Sequence, residues 1–338
     1  MALREALYAG SPRQDGRIPC LLCPKNCKIP EGLRGACGTR ENRGGTLVAS
    51  NYGLVAAIAL DPIEKKPLYH FKPSSTILSL GAVGCNLSCS FCQNWELSNP
   101  PRANSPGSPL SPGELVALLG DYEGRNCIGV AYTYSEPLMW IEYILDAAPL
   151  VAEAGYSNVL VTNGYAMPGP WAEALEHIDA CNIDVKGFDE GFYRRYCGGQ
   201  LDVVMRNVEY ALDAGVHVEI TFLVIPDGTD DPSDVRKMVE WIAGLDPDIP
   251  LHIARYFPHH RMRRPATPMS TLLRVQETAS TELNNVYLGN VTLPGGTDTF
   301  CPRCGNVLVE RSGYRTRLVG LEEEGVCTRC GAPARVIL

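Results

Sequence analysis

The feature that most constrains the fold is an alternation of short β-rich runs and longer helical stretches that begins near residue 76. The β-rich runs cover residues 76–83, 128–132, 158–162, 180–185, 217–225 and 251–256. The helical patterns cover residues 112–121, 137–154, 170–177, 189–196 with 202–214, and 232–245. Such a series predicts a parallel sheet covered by helices, and right-handed crossovers curl that sheet toward a barrel. Because six units are fewer than the eight of a closed barrel, we expect an α/β fold with an open, partial (β/α)6 TIM-like barrel.

A loop with three cysteines follows the first of these strands. Cys85, Cys89 and Cys92 are spaced C-x3-C-x2-C, and Phe91 stands just before the last cysteine. Three thiolates on one short loop can hold three corners of a cubane iron–sulfur cluster and leave the fourth iron without a protein ligand. An open corner suits chemistry on a small molecule, whereas an electron-transfer cluster usually takes four cysteines. A structural zinc knuckle is the other interpretation of the loop alone.

The chain has 14 cysteines, and two further groups flank the predicted barrel. The N-terminal group has C-x2-C-x3-C-x9-C spacing, which can close a four-thiolate zinc or iron site or can stay empty; it consists of Cys20, Cys23, Cys27 and Cys37. The C-terminal group forms two C-x2-C-G knuckles, typical of a zinc ribbon or its rubredoxin-like iron variant; it consists of Cys301, Cys304, Cys327 and Cys330. A segment this short builds little core of its own, so we expect the metal to supply folding energy.

These groups predict three segments: a Cys-rich N-terminal segment at 1–74, the barrel at 75–291 and the ribbon at 292–338. No apolar run approaches the length of a membrane span, and the N-terminus lacks the apolar region of a signal peptide. A cytoplasmic location is therefore expected, where disulfides are rare and grouped cysteines indicate metal. The net charge of −8 argues against a general nucleic-acid binder, although a local basic patch is compatible with it.

Polar residues follow the predicted strands at the ends where a parallel barrel carries its functional groups. Ser135 and Glu136 come after the second strand, Asn163 after the third, and Asp184 and Lys186 at the end of the fourth. We expect these side chains to form a rim around the three-cysteine loop. The other interpretations are an internal ion pair between Asp184 and Lys186 and a helix N-terminal charge for Glu136.

The three-cysteine loop resembles the signature of the radical S-adenosylmethionine (radical SAM) superfamily, with Phe91 as its aromatic residue. Three further stretches are similar to motifs of the pyruvate formate-lyase activating enzyme-like branch: Tyr-Thr-Tyr-Ser-Glu-Pro at 132–137, Thr-Asn-Gly at 162–164 and Asn-Ile-Asp-Val-Lys at 182–186. The complete layout, with a cysteine segment on each side, resembles most the radical SAM enzymes of the AmmeMemoRadiSam system. The classical short activase lacks those flanking segments.

The resemblance implies a 4Fe-4S cluster on Cys85, Cys89 and Cys92 and an S-adenosylmethionine beside it. It implies that Ser135 and Glu136 contact the amino group of the cofactor and that Asp184 and Lys186 line the pocket. Asn163 is expected to hold a neighbouring polar atom, and Phe91 to offer an apolar face near the adenine.

The implied reaction is reductive cleavage of S-adenosylmethionine to a 5′-deoxyadenosyl radical, which abstracts hydrogen from an unidentified substrate. A reducing donor of the flavodoxin or ferredoxin type is expected, and the resemblance adds Memo- and AMMECR-type proteins as partners. One alternative is a glycyl-radical-enzyme activase, which needs a site wide enough for a polypeptide loop. A second is an iron–sulfur electron-transfer or adaptor protein, which the polar rim does not favour.

Overall fold

A central sheet of eight strands organises the computed structural model, which describes residues 4–98, 107–291 and 296–338. Its strands, numbered within this sheet in chain order, are β1 (Ala57–Pro62), β2 (Thr76–Gly81), β3 (Cys127–Tyr132), β4 (Ser157–Thr162), β5 (Ala180–Val185), β6 (His217–Val224), β7 (Leu251–Arg255) and β8 (Val286–Gly289). They lie in the sheet in the same order as in the chain. Strands β2 to β8 are parallel, and β1 pairs antiparallel with β2.

The parallel sheet confirms the predicted fold class and extends it at both edges. All six predicted strands form, as β2 to β7. The run at 286–288, too short to count as a strand from its pattern, pairs with β7 and adds a seventh parallel strand. At the other edge Ala57–Pro62 joins the sheet as β1, whereas the neighbouring Leu54–Val55 pairs with Ser108–Pro109. Among the described residues β1 and β8 are not paired with each other, so the sheet is open.

In the described residues, eight α-helices connect and cover the strands: α1 (Trp95–Ser98), α2 (Pro112–Gly120), α3 (Ile141–Glu153), α4 (Pro168–Leu175), α5 (Glu190–Phe192), α6 (Leu201–Asp213), α7 (Pro232–Leu245) and α8 (Met269–Ala279). A π-helical stretch, Tyr193–Cys197, continues α5, and 3-10 turns span Ile63–Lys65, Glu123–Arg125 and Pro137–Trp140. Local chemistry sets several starts: Ser111 and Glu114 form a capping box at α2, and Asp231 caps α7 before Pro232.

The two faces of the sheet have different roles because side chains alternate along each strand. The side chains on one face are fully buried, including Leu160, Ile183, Phe222 and Ile253. Burying each of them stabilises the fold by roughly 1.5–3 kcal/mol. The opposite set, including Val161, Asp184, Thr221 and Ala254, lines a cavity to which α2–α8 contribute no residue. The helices therefore cover the outer face, and the cavity lies on the inner one.

One small module precedes the barrel in the chain and another follows it. The N-terminal one has short antiparallel strands, namely Arg4–Glu5, Thr46–Ala49 and Arg40–Arg43 in one sheet and Ile18–Pro19 with Lys28–Ile29 in another. The C-terminal one has Thr299–Phe300, Val307–Ser312 and Arg315–Leu318. The start of the predicted ribbon segment, residues 292–295, lies outside the described residues.

The C-terminal module packs against the barrel rather than standing apart from it. Ile337 donates a backbone hydrogen bond to His70 and accepts one from Lys72, at 2.8 Å and 2.7 Å. Arg335 forms ion pairs with Asp246 and Asp248. In the part of the chain that the structure describes, no helix has the length and apolar character needed to cross a membrane.

Candidate active site

A cavity of about 1050 Å³ opens at the carboxyl ends of the strands. The three-cysteine loop and the predicted rim residues all line it: Cys85, Cys89, Phe91, Cys92, Ser135, Glu136, Asn163, Asp184 and Lys186. The parallel topology explains this convergence, because the loops after β2, β3, β4 and β5 leave the sheet at the same edge. The structure thus brings together every rim residue that the sequence indicates.

The three-cysteine loop, residues 84–94, is held by backbone hydrogen bonds to the π-helical stretch. Ser88 and Ser90 donate to the carbonyls of Cys197 and Tyr196, at 2.8 Å and 2.9 Å. The Sγ atom of Cys85 lies 3.4 Å from the amide nitrogen of Leu87 and 3.7 Å from Nδ2 of Asn163. Such N–H donors around a cysteine sulfur are a feature of iron–sulfur sites, where they tune the reduction potential.

The three thiols are poor acids in the absence of a cation. Burial, followed by the charge of Glu136, raises the pKa of Cys85, and burial raises the pKa of Cys92. For Cys89 a hydrogen bond with the thiol of Cys197, together with burial, raises the pKa. Because metal binding requires thiolates, a bound cluster would supply the missing positive charge. Cys197 does not line the cavity, so among the residues that the structure describes three cysteines face it, and the donor set fits a cluster with one open iron.

Glu136 is buried behind the loop and is held by three donors. Oε1 accepts from the Leu138 amide at 3.1 Å and from Oγ1 of Thr162 at 2.7 Å, and Oε2 accepts from the Asn163 amide at 2.8 Å. Burial outweighs these bonds and raises the pKa of Glu136 to about 7. The carboxyl group caps the 3-10 turn Pro137–Trp140, so the expected capping role is present, and it also faces the cavity.

Asp184 and Lys186 form the ion pair that was the alternative interpretation, with Nζ 2.6 Å from Oδ2. Both side chains are partly exposed and both line the cavity, so the pair belongs to the rim. Burial alone would lower the pKa of Lys186, but the charges of Asp184 and Cys89 raise it. This cation therefore lies in the field of the loop cysteines.

Ser135 of the rim and Phe91 of the three-cysteine loop have polar and apolar roles. Oγ of Ser135 donates to the carbonyl of Ala82 at 2.5 Å, which leaves its lone pairs free to accept. Phe91 is buried, and its ring centre lies 5.9 Å from that of Phe192. Phe91 therefore packs in the apolar core and also forms part of the cavity wall.

Sequence reasoning missed the opposite wall of the cavity. Glu64, Lys65 and Tyr69 line it from the stretch after β1, and Arg311 and Tyr314 line it from the C-terminal module. Nothing in the cysteine pattern of the ribbon indicates this contribution. The stretch at 61–70, Asp-Pro-Ile-Glu-Lys-Lys-Pro-Leu-Tyr-His, holds four charged residues and a histidine between apolar residues, and of the four charged residues only Lys65 is exposed.

The two flanking cysteine groups differ in sulfur spacing. The Sγ atoms of Cys301, Cys304, Cys327 and Cys330 all lie within 4.8 Å of one another, which suits a single tetrahedral zinc or iron. Cys20, Cys23, Cys27 and Cys37 line one small pocket but are not drawn together to that extent.

Comparisons with known proteins agree with this geometry. The Radical SAM superfamily model matches residues 80–242. An uncharacterized protein of Methanocaldococcus jannaschii is 38% identical over 340 residues, which cover 99% of this chain and 100% of that protein. The pyruvate formate-lyase-activating enzyme of Clostridium pasteurianum is 30% identical over 171 residues, 48% of this chain and 67% of that enzyme. The crystal structure of Streptococcus suis SuiB bound to S-adenosylmethionine is similar in fold, with a TM-score of 0.51 at 15% identity over 62% of this chain and 49% of that chain.

Proposed function

Since the chain belongs to the radical SAM superfamily, we propose that it is an enzyme that removes a hydrogen atom from a small molecule held in the cavity. The family implies a 4Fe-4S cluster and S-adenosylmethionine, and Cys85, Cys89 and Cys92 are the residues that would hold the cluster. When bound, the two groups supply a 5′-deoxyadenosyl radical by one-electron reduction, and this radical takes the hydrogen atom. The observation that carries the proposal is the single cavity shared by the loop, the rim and the C-terminal module.

The rim residues are proposed to position S-adenosylmethionine. Glu136 in its ionised form would accept hydrogen bonds from the ammonium group, and Ser135 offers a further acceptor beside it. Lys186 would contact the carboxylate or a ribose oxygen, with Asp184 accepting from a ribose hydroxyl. Asn163 already holds Cys85 and Asn86 through Nδ2, so its role is to fix the loop against the rim.

The far wall of the cavity favours a small substrate over a polypeptide. Arg311 and Tyr314 line the cavity from the C-terminal module, and Tyr69 lines it from the stretch after β1. These groups offer a cation, two phenol rings and backbone polar atoms, which suit a compact polar molecule. Memo- and AMMECR-type proteins are proposed as partners in its processing, with a flavodoxin- or ferredoxin-type donor supplying the electron.

A glycyl-radical-enzyme activase is the second candidate, because the 30% identity to a pyruvate formate-lyase-activating enzyme favours it. That similarity covers 48% of this chain and 67% of that enzyme, so it extends over only part of each protein. Anaerobic mixing with a glycyl-radical enzyme, followed by electron paramagnetic resonance, separates the two: a glycyl radical supports the activase.

The cysteine-rich, cluster-dependent site also supports the cytoplasm as the proposed location.

The test of the proposed function is reductive release of 5′-deoxyadenosine after anaerobic cluster reconstitution. The wild-type chain should release it, and the triple variant Cys85→Ala, Cys89→Ala and Cys92→Ala should not. Cys181→Ala is a matched control, because Cys181 is fully buried in β5 and belongs to none of the three cysteine groups. Release that persists in the triple variant would exclude the proposed role of the loop.

A further inference from the structure

The four N-terminal cysteines converge on one pocket with apolar walls. Cys20, Cys23, Cys27 and Cys37 line it together with Leu22, Ile29 and Met139. The hairpin of Ile18–Pro19 and Lys28–Ile29 places Cys20 opposite Cys27, with a 2.8 Å backbone hydrogen bond from the amide of Cys20 to the carbonyl of Cys27. Cys20, Cys23 and Cys37 are buried, and Cys27 is partly buried. Buried thiols from two separate turns thus face a common space.

The spacing of the sulfur atoms distinguishes this pocket from the C-terminal ribbon. A single ion with metal–sulfur bonds of about 2.3 Å draws its four sulfurs to about 3.8 Å from one another. In the C-terminal group the Cys301–Cys330 and Cys304–Cys327 sulfurs lie at 3.6 Å and 3.7 Å. Over residues 4–98, 107–291 and 296–338, no other three cysteines have all their sulfurs within 4.8 Å of one another. The N-terminal set is therefore wider than a mononuclear site, as is the set on the three-cysteine loop.

A buried cation lies against the same pocket. Arg40 is 1% exposed and lines the pocket beside the cysteines. Its Nη2 lies 2.9 Å from Oε2 of Glu142, but neither Nη1 nor Nη2 makes a hydrogen bond among the described residues. Two guanidinium nitrogens that are buried without hydrogen bonds are costly, even where an ion pair offsets the charge. A cluster bound by four thiolates carries net negative charge and sulfur acceptors, which would meet this need.

The pocket also adjoins the three-cysteine loop, residues 84–94. Gly84, which precedes Cys85, has φ +106, and a β-carbon there would stand 2.9 Å from the carbonyl oxygen of Cys37 and 2.4 Å from Cγ2 of Thr39. Asn86 follows Cys85 and lines the N-terminal pocket. Oδ1 of Asn86 accepts at 3.0 Å from Nδ2 of Asn163, which also approaches the sulfur of Cys85.

We propose that Cys20, Cys23, Cys27 and Cys37 hold a second iron–sulfur cluster, and that Arg40 offsets its charge. Its role rests on the proposed function: it accepts one electron from a low-potential ferredoxin or flavodoxin and passes that electron to the cluster of the three-cysteine loop, returning to its oxidised state. The close approach of Gly84 to Cys37 and Thr39, and the position of Asn86 on the N-terminal pocket directly after Cys85, bring the two sites near each other. Four protein ligands leave no iron open, so the second site carries electrons and does not bind substrate.

The test uses the triple variant Cys85→Ala, Cys89→Ala and Cys92→Ala in the full-length chain. After anaerobic reconstitution it should retain about four iron and four acid-labile sulfide per chain and give a paramagnetic signal on reduction. Further substitution of Cys20→Ser and Cys27→Ser should abolish both. Cys301→Ser with Cys304→Ser in the triple background is the matched control, because a mononuclear site contains no sulfide. A triple variant without labile sulfide, or with zinc in the N-terminal pocket, overturns the proposal.

Arg40 provides a second readout in the same triple background. Arg40→Met should shift the midpoint potential of the retained cluster to a more negative value, and Arg40→Lys should restore it, because a nearby cation favours the reduced state. An unchanged potential in Arg40→Met overturns the role of Arg40. Failure of the proposed function has a different signature: the wild-type chain would release no 5′-deoxyadenosine while the triple variant still held its sulfide.

Discussion

Nη2 of Arg311 donates a 2.7 Å hydrogen bond to the backbone oxygen of Tyr69, and its guanidinium carbon lies 4.3 Å from the centre of the Tyr69 ring. Nη1 donates to the carbonyl of Thr297 and to Oγ1 of Thr299, at 2.9 Å and 2.7 Å. A single side chain thus joins the C-terminal module to the stretch after β1, and both line the cavity.

Arg311→Met is therefore expected to lower the free energy of unfolding by about 3 kcal/mol, because it leaves the buried carbonyl of Tyr69 and the partly buried carbonyl of Thr297 without this donor. Chemical denaturation of the metal-loaded protein measures this. Arg317→Met is the matched control: Arg317 pairs with Glu310 on the exposed surface, so its loss should cost no more than about 0.5 kcal/mol. Equal effects of the two variants would contradict the joining role of Arg311.

Glu219, on β6 of the central sheet, binds the stretch after β1 through its carboxylate. Its carboxylate accepts from the amides of Tyr69 and His70, at 2.9 Å and 2.7 Å, and from Nε2 of His217 and His252, at 3.0 Å and 2.6 Å. Burial alone would raise its pKa, but the hydrogen bonds from the two histidines hold the pKa of Glu219 well below its ordinary value.

A lowered pKa in the folded state gives stability that is present above the ordinary value of 4.5 and is lost as the pH falls below it. Glu219→Gln should therefore destabilise the protein by about 3 kcal/mol near neutral pH. The difference between the two proteins should shrink below pH 4.5, as measured by denaturation over a pH series. A difference independent of pH would show that the charge of Glu219 is not what stabilises the stretch.

The sequence pattern was sufficient to predict the barrel and the part of the cavity wall that the three-cysteine loop and the rim residues form. Strand–helix alternation fixes a parallel sheet, and parallel strands bring Glu136, Asn163 and Asp184 to one edge wherever their loops begin. The part of the wall formed by the stretch after β1 and the C-terminal module depends on contacts between segments distant in the chain, such as Arg311 with Tyr69. No local periodicity of the sequence encodes such contacts. The strand Val286–Gly289 was missed as a strand because four residues carry too little pattern to separate a strand from a loop.

Glu136 should make the stability of the metal-free protein depend on pH in the opposite direction. Its pKa is raised to about 7 in the folded state from an ordinary 4.5, so the folded protein binds the proton more tightly. Its contribution to stability should fall by about 3 kcal/mol as the pH rises from 4.5 to 7. Denaturation at pH 5 and pH 8 should show this loss in the wild-type protein relative to Glu136→Gln, which stays neutral. Parallel pH profiles would rule out a raised pKa.

The C-terminal ribbon should lose one metal ion per chain when Cys304 and Cys330 are both replaced by serine. Because this module supplies Arg311 and Tyr314 to the cavity, the loss should also raise hydrogen exchange at Val307–Ser312 and around Tyr69. Metal analysis and exchange mass spectrometry measure the two effects. Cys127→Ala, a buried cysteine of β3 outside the three groups, should change neither. Exchange confined to the ribbon would mean that the ribbon does not support the cavity wall.

Gly84→Ala should damage both cysteine sites at once. A β-carbon at this position would stand 2.4 Å from Cγ2 of Thr39 and 2.9 Å from the carbonyl oxygen of Cys37, and φ +106 is a conformation that L side chains rarely adopt. We expect a loss of at least about 3 kcal/mol in stability and a reduced sulfide content after reconstitution. Gly244→Ala is the matched control, because Gly244 lies in α7 with nothing within 4 Å of its added β-carbon and should gain about 0.5–1 kcal/mol. If Gly84→Ala behaves like Gly244→Ala, the two cysteine sites are not in contact through this glycine.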